Sequence, residues 1–365
     1  MSSNRTSSSG TTPSPLLTQV KAVVPASVKA ALRPAVRVVA PSLVNSAPKG
    51  SSLSNAALSF CDQPTDNPWS VVNPDTGLTH RYFFLCGCWK SGTHWMQRIL
   101  NLHPQVNIKG EFHFETMLLG LDRFTSPSWF VASGPKTKRV ACDAMENLVR
   151  RTIYAATRNK PDSMWLGDCT PRMLRTVLPG APTFWLLRDG RDVLVSWSFH
   201  WLRVKENGVF GGRFKDDIDR FKPEFTANPD RFRDPESGLL GNDQWVRRTA
   251  REWAKYVEND FRMCNELINS GTPVHRIVYE DLHANTPQGA ERMYRFLGLD
   301  PARAQPLSRE TKTLAGVEKE DLKSATRKGQ TGDWRNYFND RITRIFKEEA
   351  GQALVQAGYE KDLNW

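Results

Sequence analysis

The chain has 365 residues, 39% of them apolar with 12 Trp and 18 Phe, enough to fill the core of one large domain or two small ones. Its formal charge of +11 is uneven, because residues 1–61 hold Arg5, Lys21, Lys29, Arg33, Arg37 and Lys49 and no acid, which leaves the remainder only modestly basic. That balance suits a phosphorylated ligand; the absence of zinc-finger, RNP and heptad patterns argues against a nucleic-acid partner, and the absence of a long uncharged apolar run argues against a membrane span.

Residues 1–65 read as a disordered, basic Ser/Pro/Ala-rich tail. Residues 16–45 alternate short apolar runs with Lys and Arg and are broken by Pro25, Pro34 and Pro41. Such a stretch fits a transit peptide or a weak membrane-surface segment as well as a plain tail. A single domain is expected over residues 66–365. Its six cysteines lack metal-ligand spacing and read as buried thiols, which points to a reducing, cytoplasmic compartment unless the tail is a transit peptide.

The first element of that domain is the apolar run Tyr82-Phe83-Phe84-Leu85, which reads as a buried strand. It ends in a turn carrying Gly87, Lys90, Ser91 and Gly92, and helical spacing follows, with Trp95, Ile99 and Leu102 on one face. Strand, small polar loop and helix together bind phosphate well. The first N–H groups of a helix lack partners, and its dipole favours an anion there. Lys90 adds a cation, and Ser91 and Thr93 add hydroxyl donors. The Walker pattern for ATP requires Gly-Lys-Ser/Thr, whereas this loop reads Lys90-Ser91-Gly92-Thr93.

Further along, Asn107 to Phe114 reads as a loop or short strand leading out of the phosphate site, and a helix is expected at 143–158. Met164 to Gly167 and Thr183 to Leu187 read as strands, the second running through Arg188-Asp189-Gly190-Arg191-Asp192 into a helix over 193–202. Residues 203–242 show little periodicity and are expected to be a long irregular insertion. An amphipathic helix at 243–269, a strand at 274–278 ending in Tyr279, and helices near 287–297 and 340–357 complete the chain. Strands alternating with helices give an α/β class, a three-layer sandwich around a central, mainly parallel sheet.

Three stretches then carry a resemblance. Lys90-Ser91-Gly92-Thr93-His94-Trp95 resembles the 5′-phosphosulfate loop of sulfotransferases that use 3′-phosphoadenosine 5′-phosphosulfate (PAPS). Arg188 to Ser196 resembles that family's 3′-phosphate signature. Arg327-Lys328-Gly329-Gln330-Thr331-Gly332-Asp333-Trp334 resembles its closing Arg-Lys-Gly-x-x-Gly-Asp-Trp loop. The resemblance spans roughly residues 80–340. It implies the P-loop NTPase-like sulfotransferase fold, PAPS as co-substrate without a metal, and a small-molecule or glycan acceptor.

By the same resemblance, Lys90 contacts the 5′-phosphate and the bridging oxygen, with Ser91, Gly92, Thr93 and His94 beside it. Trp95 lies against adenine or, on the residues alone, packs in the core. Arg188 and Ser196 bind the 3′-phosphate, Arg327, Lys328 and Gly329 clamp it, and Tyr279 lies near the adenine. Trp89 stands where the family often has Pro, and His94 where it often has Ser or Thr. Glu111, two residues after Lys109, occupies the place of the family's base; a burying contribution from Phe112 and Phe114 would raise its basicity. His113 is the other candidate base, and Asp168 is placed near the acceptor. The competing reading is a P-loop kinase-like phosphotransferase using ATP, in which Asp189 would hold Mg²⁺.

Overall fold

The computed structural model describes residues 79–157, 159–160, 163–169, 178, 180–203, 214–307 and 328–365. The basic tail, the expected domain start at residue 66 and Arg327 therefore lie outside the described residues. In chain order the elements are β1 (Arg81–Gly87), α1 (Thr93–Leu100), β2 (Val106–Ile108), α2 (Glu115–Thr125), α3 (Ser128–Val131), α4 (Pro135–Ala156), β3 (Trp165–Asp168), β4 (Thr183–Leu187), α5 (Gly190–Arg203), α6 (Lys215–Ala227), α7 (Asp243–Asn269), β5 (Val274–Val278), α8 (Tyr279–Ala284), α9 (Thr286–Phe296) and α10 (Asp340–Ala357).

The five strands form one sheet in the order β2-β3-β1-β4-β5, and every pairing is parallel. A parallel sheet is covered on both faces, so its strands are apolar throughout rather than alternating. β1 shows this: Tyr82 to Cys86 are all buried. Phe83 and Leu85 pack with α1, α8 and α9 on one face, while Tyr82 and Phe84 pack with α4 on the other. β4 divides in the same way. Phe184 and Leu186 join the first layer, and Trp185 and Leu187 join α5, α7 and α10 in the second. The result is the expected helix, sheet, helix, with every strand pairing among the described residues parallel.

Two expectations need correction. The stretch 203–242 is not irregular where it is described: Lys215–Ala227 forms α6, and short 3₁₀ turns run from Pro229 to Gly241. Ile218 and Phe225, two turns apart, bury one face of α6, with Phe232 packed below. α4 begins at Pro135 rather than near 143, since a proline after Gly134 sits at the first turn of a helix, where its missing N–H costs nothing.

The connections place the functional end. From β1 the chain crosses through α1 to β2 on one side, and from β4 through α5 to β5 on the other. Neighbouring strands whose continuations diverge leave a crevice at their carboxyl ends, which is where open α/β sheets hold ligands. The loops 88–92 and 188–189 both open there.

Candidate functional site

The loop after β1 is fixed by its own backbone and by an aromatic slab. The Ser91 N–H and hydroxyl both donate to the Cys88 carbonyl, at 3.1 and 2.5 Å, and Ser91 is fully buried. Trp89 stacks on Trp197 of α5 at 4.3 Å and meets Tyr256 of α7 edge-on. That packing explains why a large ring stands at this position: it ties the loop to the helical layer. Gly92 adopts φ 104°, and a Cβ on it would lie 2.7 Å from the Tyr279 ring, so both conformation and space demand glycine.

α1 starts at Thr93 with no side-chain cap and no acid in its first turn. Its opening N–H groups and positive dipole end are therefore not answered by a side-chain cap, which suits an anion. Trp95 takes the core position, buried against Tyr279 with centroids 5.4 Å apart.

Arg188, at the end of β4, joins the three motif stretches. Its two terminal nitrogens donate to the Lys90 carbonyl and to the Gln330 carbonyl, both at 2.9 Å. Its guanidinium lies over the Tyr279 ring at 4.2 Å, and the Tyr279 hydroxyl donates to the Gly329 carbonyl at 3.1 Å. The buried Arg188 Nε has no hydrogen-bond partner among the described residues. Arg188 thus links the β1 loop, the end of β4, the start of α8 and the C-terminal loop.

The remaining charges of Arg188-Asp189-Gly190-Arg191-Asp192 serve the scaffold. Asp192 accepts the Gly332 N–H at 2.7 Å and the Trp334 N–H at 2.9 Å, docking the Gly-Asp-Trp turn onto α5. Burial pushes the Asp192 carboxyl up, and the Arg188 guanidinium and those two N–H groups pull it back. Arg191 lies between Trp334, 4.0 Å away, and Trp365, 4.7 Å away, and pairs with Asp189 and Glu360. Asp189 accepts from the N–H, Nε and terminal nitrogen of Arg191, so it is committed there rather than to a Mg²⁺ ion. The Asp189 N–H in turn donates to Glu280, which Tyr359 also reaches. Gly190 lets the helix begin directly against Trp253, whose ring a Cβ would meet at 2.4 Å.

Ser196 is buried on α5, eight residues beyond Arg188. Lys328 pairs with buried Asp333 at 3.3 Å, and Gly329 lies under the Tyr279 hydroxyl. Lys90, with φ 62°, places its ammonium 3.4 Å from Nδ1 of His200, one turn beyond Ser196. Motif reading missed His200 and Asp192. His200 was accessible from helical spacing, since it shares a face with Ser196 four residues earlier.

The second side of the crevice is the segment Lys109–Phe114, beyond β2. The Phe112 N–H donates to the fully buried Asp168 at the end of β3, at 3.3 Å. Phe112 and Phe114 pack on each other, with centroids 5.3 Å apart. The Glu111 side chain is 38% exposed, and its carboxylate lies 3.9 Å from Nε2 of His94. His113 is also exposed, at φ 52°. Of the aromatics on and near α5, Phe199 and Trp201 are core and Trp197 belongs to the slab, while Trp129 of α3 is exposed.

The sequence matches the sulfotransferase domain over residues 80–358, most of the chain and nearly all of the described structure. The chain belongs to the sulfotransferase family. It is 23% identical over 218 residues to sulfotransferase 1B1 of Canis lupus familiaris, covering 51% of this chain and 64% of that protein, just under two thirds of the relative's own length. It is 21% identical over 313 residues to sulfotransferase 1C2 of Rattus norvegicus, covering 79% of this chain and 89% of that one. Among solved structures it is similar to mouse sulfotransferase SULT7A1 complexed with PAP, with 17% identity, a TM-score of 0.44 and coverage of 86% and 93%. The five cysteines among the described residues are buried thiols, and no described helix is long and apolar enough to cross a membrane.

Proposed function

We propose that this sulfotransferase-family chain moves a sulfuryl group from PAPS to a hydroxyl on a small-molecule acceptor, an aliphatic or sugar alcohol in preference to a phenol. The observation that carries the reading is Arg188, hydrogen-bonded to the backbone of both the Lys90 loop and the 328–334 loop while covering Tyr279. One cation-lined crevice then serves both phosphate ends of a 3′,5′-bisphosphorylated adenosine. Lys90, the opening turn of α1 and Thr93 serve the 5′ end; Arg188, Ser196, Lys328 and Gly329 serve the 3′ end, with Arg327 proposed from sequence.

The donor supplies an activated sulfuryl group. Lys90 answers the charge that grows on the bridging oxygen as the bond from sulfur to that oxygen breaks, so no metal is needed for neutralisation in this scheme. Glu111 takes the proton of the acceptor hydroxyl as its oxygen bonds to sulfur, and 3′,5′-ADP is the other product. The preference for an alcohol rests on the family resemblance alone: glycan-type members have a Glu at a comparable place, whereas the phenol and steroid type has a His two residues after a Lys.

The test is turnover with sulfur-labelled PAPS across a panel of alcohols, sugars and phenols. Glu111→Gln is expected to lose about 10²- to 10⁴-fold in kcat while 3′,5′-ADP affinity stays within about two-fold, as expected for a group acting on the acceptor. Loss of activity in His113→Ala with Glu111→Gln active would move the base to His113. Phosphoryl transfer from ATP–Mg²⁺ would overturn the reaction class.

A further inference from the structure

His200 has no part in the scheme above, yet it makes the Lys90 contact. An ammonium carries only donors, so at 3.4 Å the imidazole Nδ1 is the acceptor, which assigns the ring proton to Nε2. The ring is held flat on Trp197 at 5.3 Å and 12°, and Trp197 stacks on Trp89, the residue preceding Lys90. Lys90 is thus fixed twice by one slab: through its chain neighbour and through its side-chain terminus. Burial pushes the His200 imidazole down to about 3, with Lys90, Arg203 and His94 adding to the effect, so it stays an acceptor at neutral pH.

The neutrality of this acceptor matters. A carboxylate in its place would orient the ammonium and also cancel much of its charge. An imidazole orients it and leaves the positive charge whole for a leaving phosphate.

We infer that His200 is a positioning residue: its Nδ1 holds the Lys90 ammonium in place before the donor arrives, so that the cation need not reorganise as charge develops. This rests on the sulfuryl-transfer reading. Preorganisation of this kind acts on the transition state more than on ground-state binding.

Two variants separate the hydrogen bond from the stack. His200→Phe keeps a flat ring on Trp197 and removes the acceptor; His200→Gln restores a neutral acceptor. On the full chain with PAPS and saturating alcohol, His200→Phe is expected to lower kcat by about 10- to 100-fold. The donor KM and the 3′,5′-ADP Kd should stay within about three-fold, His200→Gln should recover a substantial part of the loss, and His200→Phe should add little on top of Lys90→Ala. In the wild-type chain, ¹⁵N-histidine NMR at neutral pH should show the His200 proton on Nε2, a readout that does not depend on any variant folding. Unchanged kcat in His200→Phe, equal losses in the Phe and Gln variants, full additivity with Lys90→Ala, or a proton on Nδ1 would overturn the inference alone. No turnover of PAPS by the wild-type chain would overturn the sulfuryl-transfer reading and this inference with it.

Discussion

On one side of the crevice, residues 88–95, 188–196 and 328–334 meet around Arg188, and Ser91, Trp95, Asp189, Asp192 and Tyr279 are all buried there. On the other side, the segment 109–114 leaves Lys109, Glu111 and His113 exposed and meets the sheet through the Phe112–Asp168 hydrogen bond and the buried Phe114. The first region is held by packing from both helical layers, so changing one residue there disturbs several contacts. The second answers to far fewer neighbours. In the function proposed above, a fold built this way keeps its grip on the donor as part of the core and leaves the loop assigned to the acceptor open to change.

If that contrast is sound, the largest effect belongs to Lys90. Lys90→Ala should lower kcat by about 10²- to 10³-fold, with the fold intact by thermal melting, because it removes a cation aimed at developing charge. A loss confined to donor KM would recast Lys90 as a binding group only. Next comes the hidden support of the donor side. Asp192→Ala strands the Gly332 and Trp334 N–H groups and should cost roughly 2–3 kcal/mol of stability. The melting temperature should fall by several degrees, and 3′,5′-ADP affinity should weaken, although Asp192 is not proposed to touch ligand. An unchanged melt would mean that the turn is docked by other contacts.

The smallest effect is a pH dependence. The folded chain disfavours protonation of His200, whose pKa drops from 6.5 to about 3. The unfolded chain therefore binds more protons at this site below pH 6.5, so His200 subtracts stability as pH falls through that value toward 3. His200→Gln should lose roughly 1 kcal/mol less stability than wild type between pH 7.5 and 5.5, a difference of about 2–4 °C in melting temperature. Parallel curves for the two proteins would show that His200 is not held neutral by the fold.

The same contrast decides what was legible in the sequence. β1 announces itself because a strand buried on both faces must be apolar throughout, and Gly92 because one position must satisfy both a left-handed backbone and the Tyr279 ring. The three motif stretches are readable because each must fit several buried neighbours. The resemblance named Arg188, but local pattern gave no role to Arg191, three residues on. Arg188 meets the loops while Arg191 is caged by Trp334 and Trp365, and only the tertiary path of the C terminus separates them. Glu111, expected to be partly buried by Phe112 and Phe114, keeps a 38% exposed side chain, and those two rings pack on each other. α6 escaped notice because its buried face is only Ile218 and Phe225, with Pro223 inside the helix masking the period.

The central claim is that one crevice recognises adenosine phosphorylated at both ends. Calorimetry with 3′,5′-ADP, 5′-AMP and ATP–Mg²⁺ on the wild-type chain and on Arg188→Ala tests it most directly. The account predicts that 3′,5′-ADP binds wild type at least about 10-fold more tightly than either rival, since a buried charge-assisted contact contributes about 1.5–3 kcal/mol, and that most of this preference disappears in Arg188→Ala. Equal affinity for 5′-AMP and 3′,5′-ADP, or a preference for ATP–Mg²⁺, would contradict it.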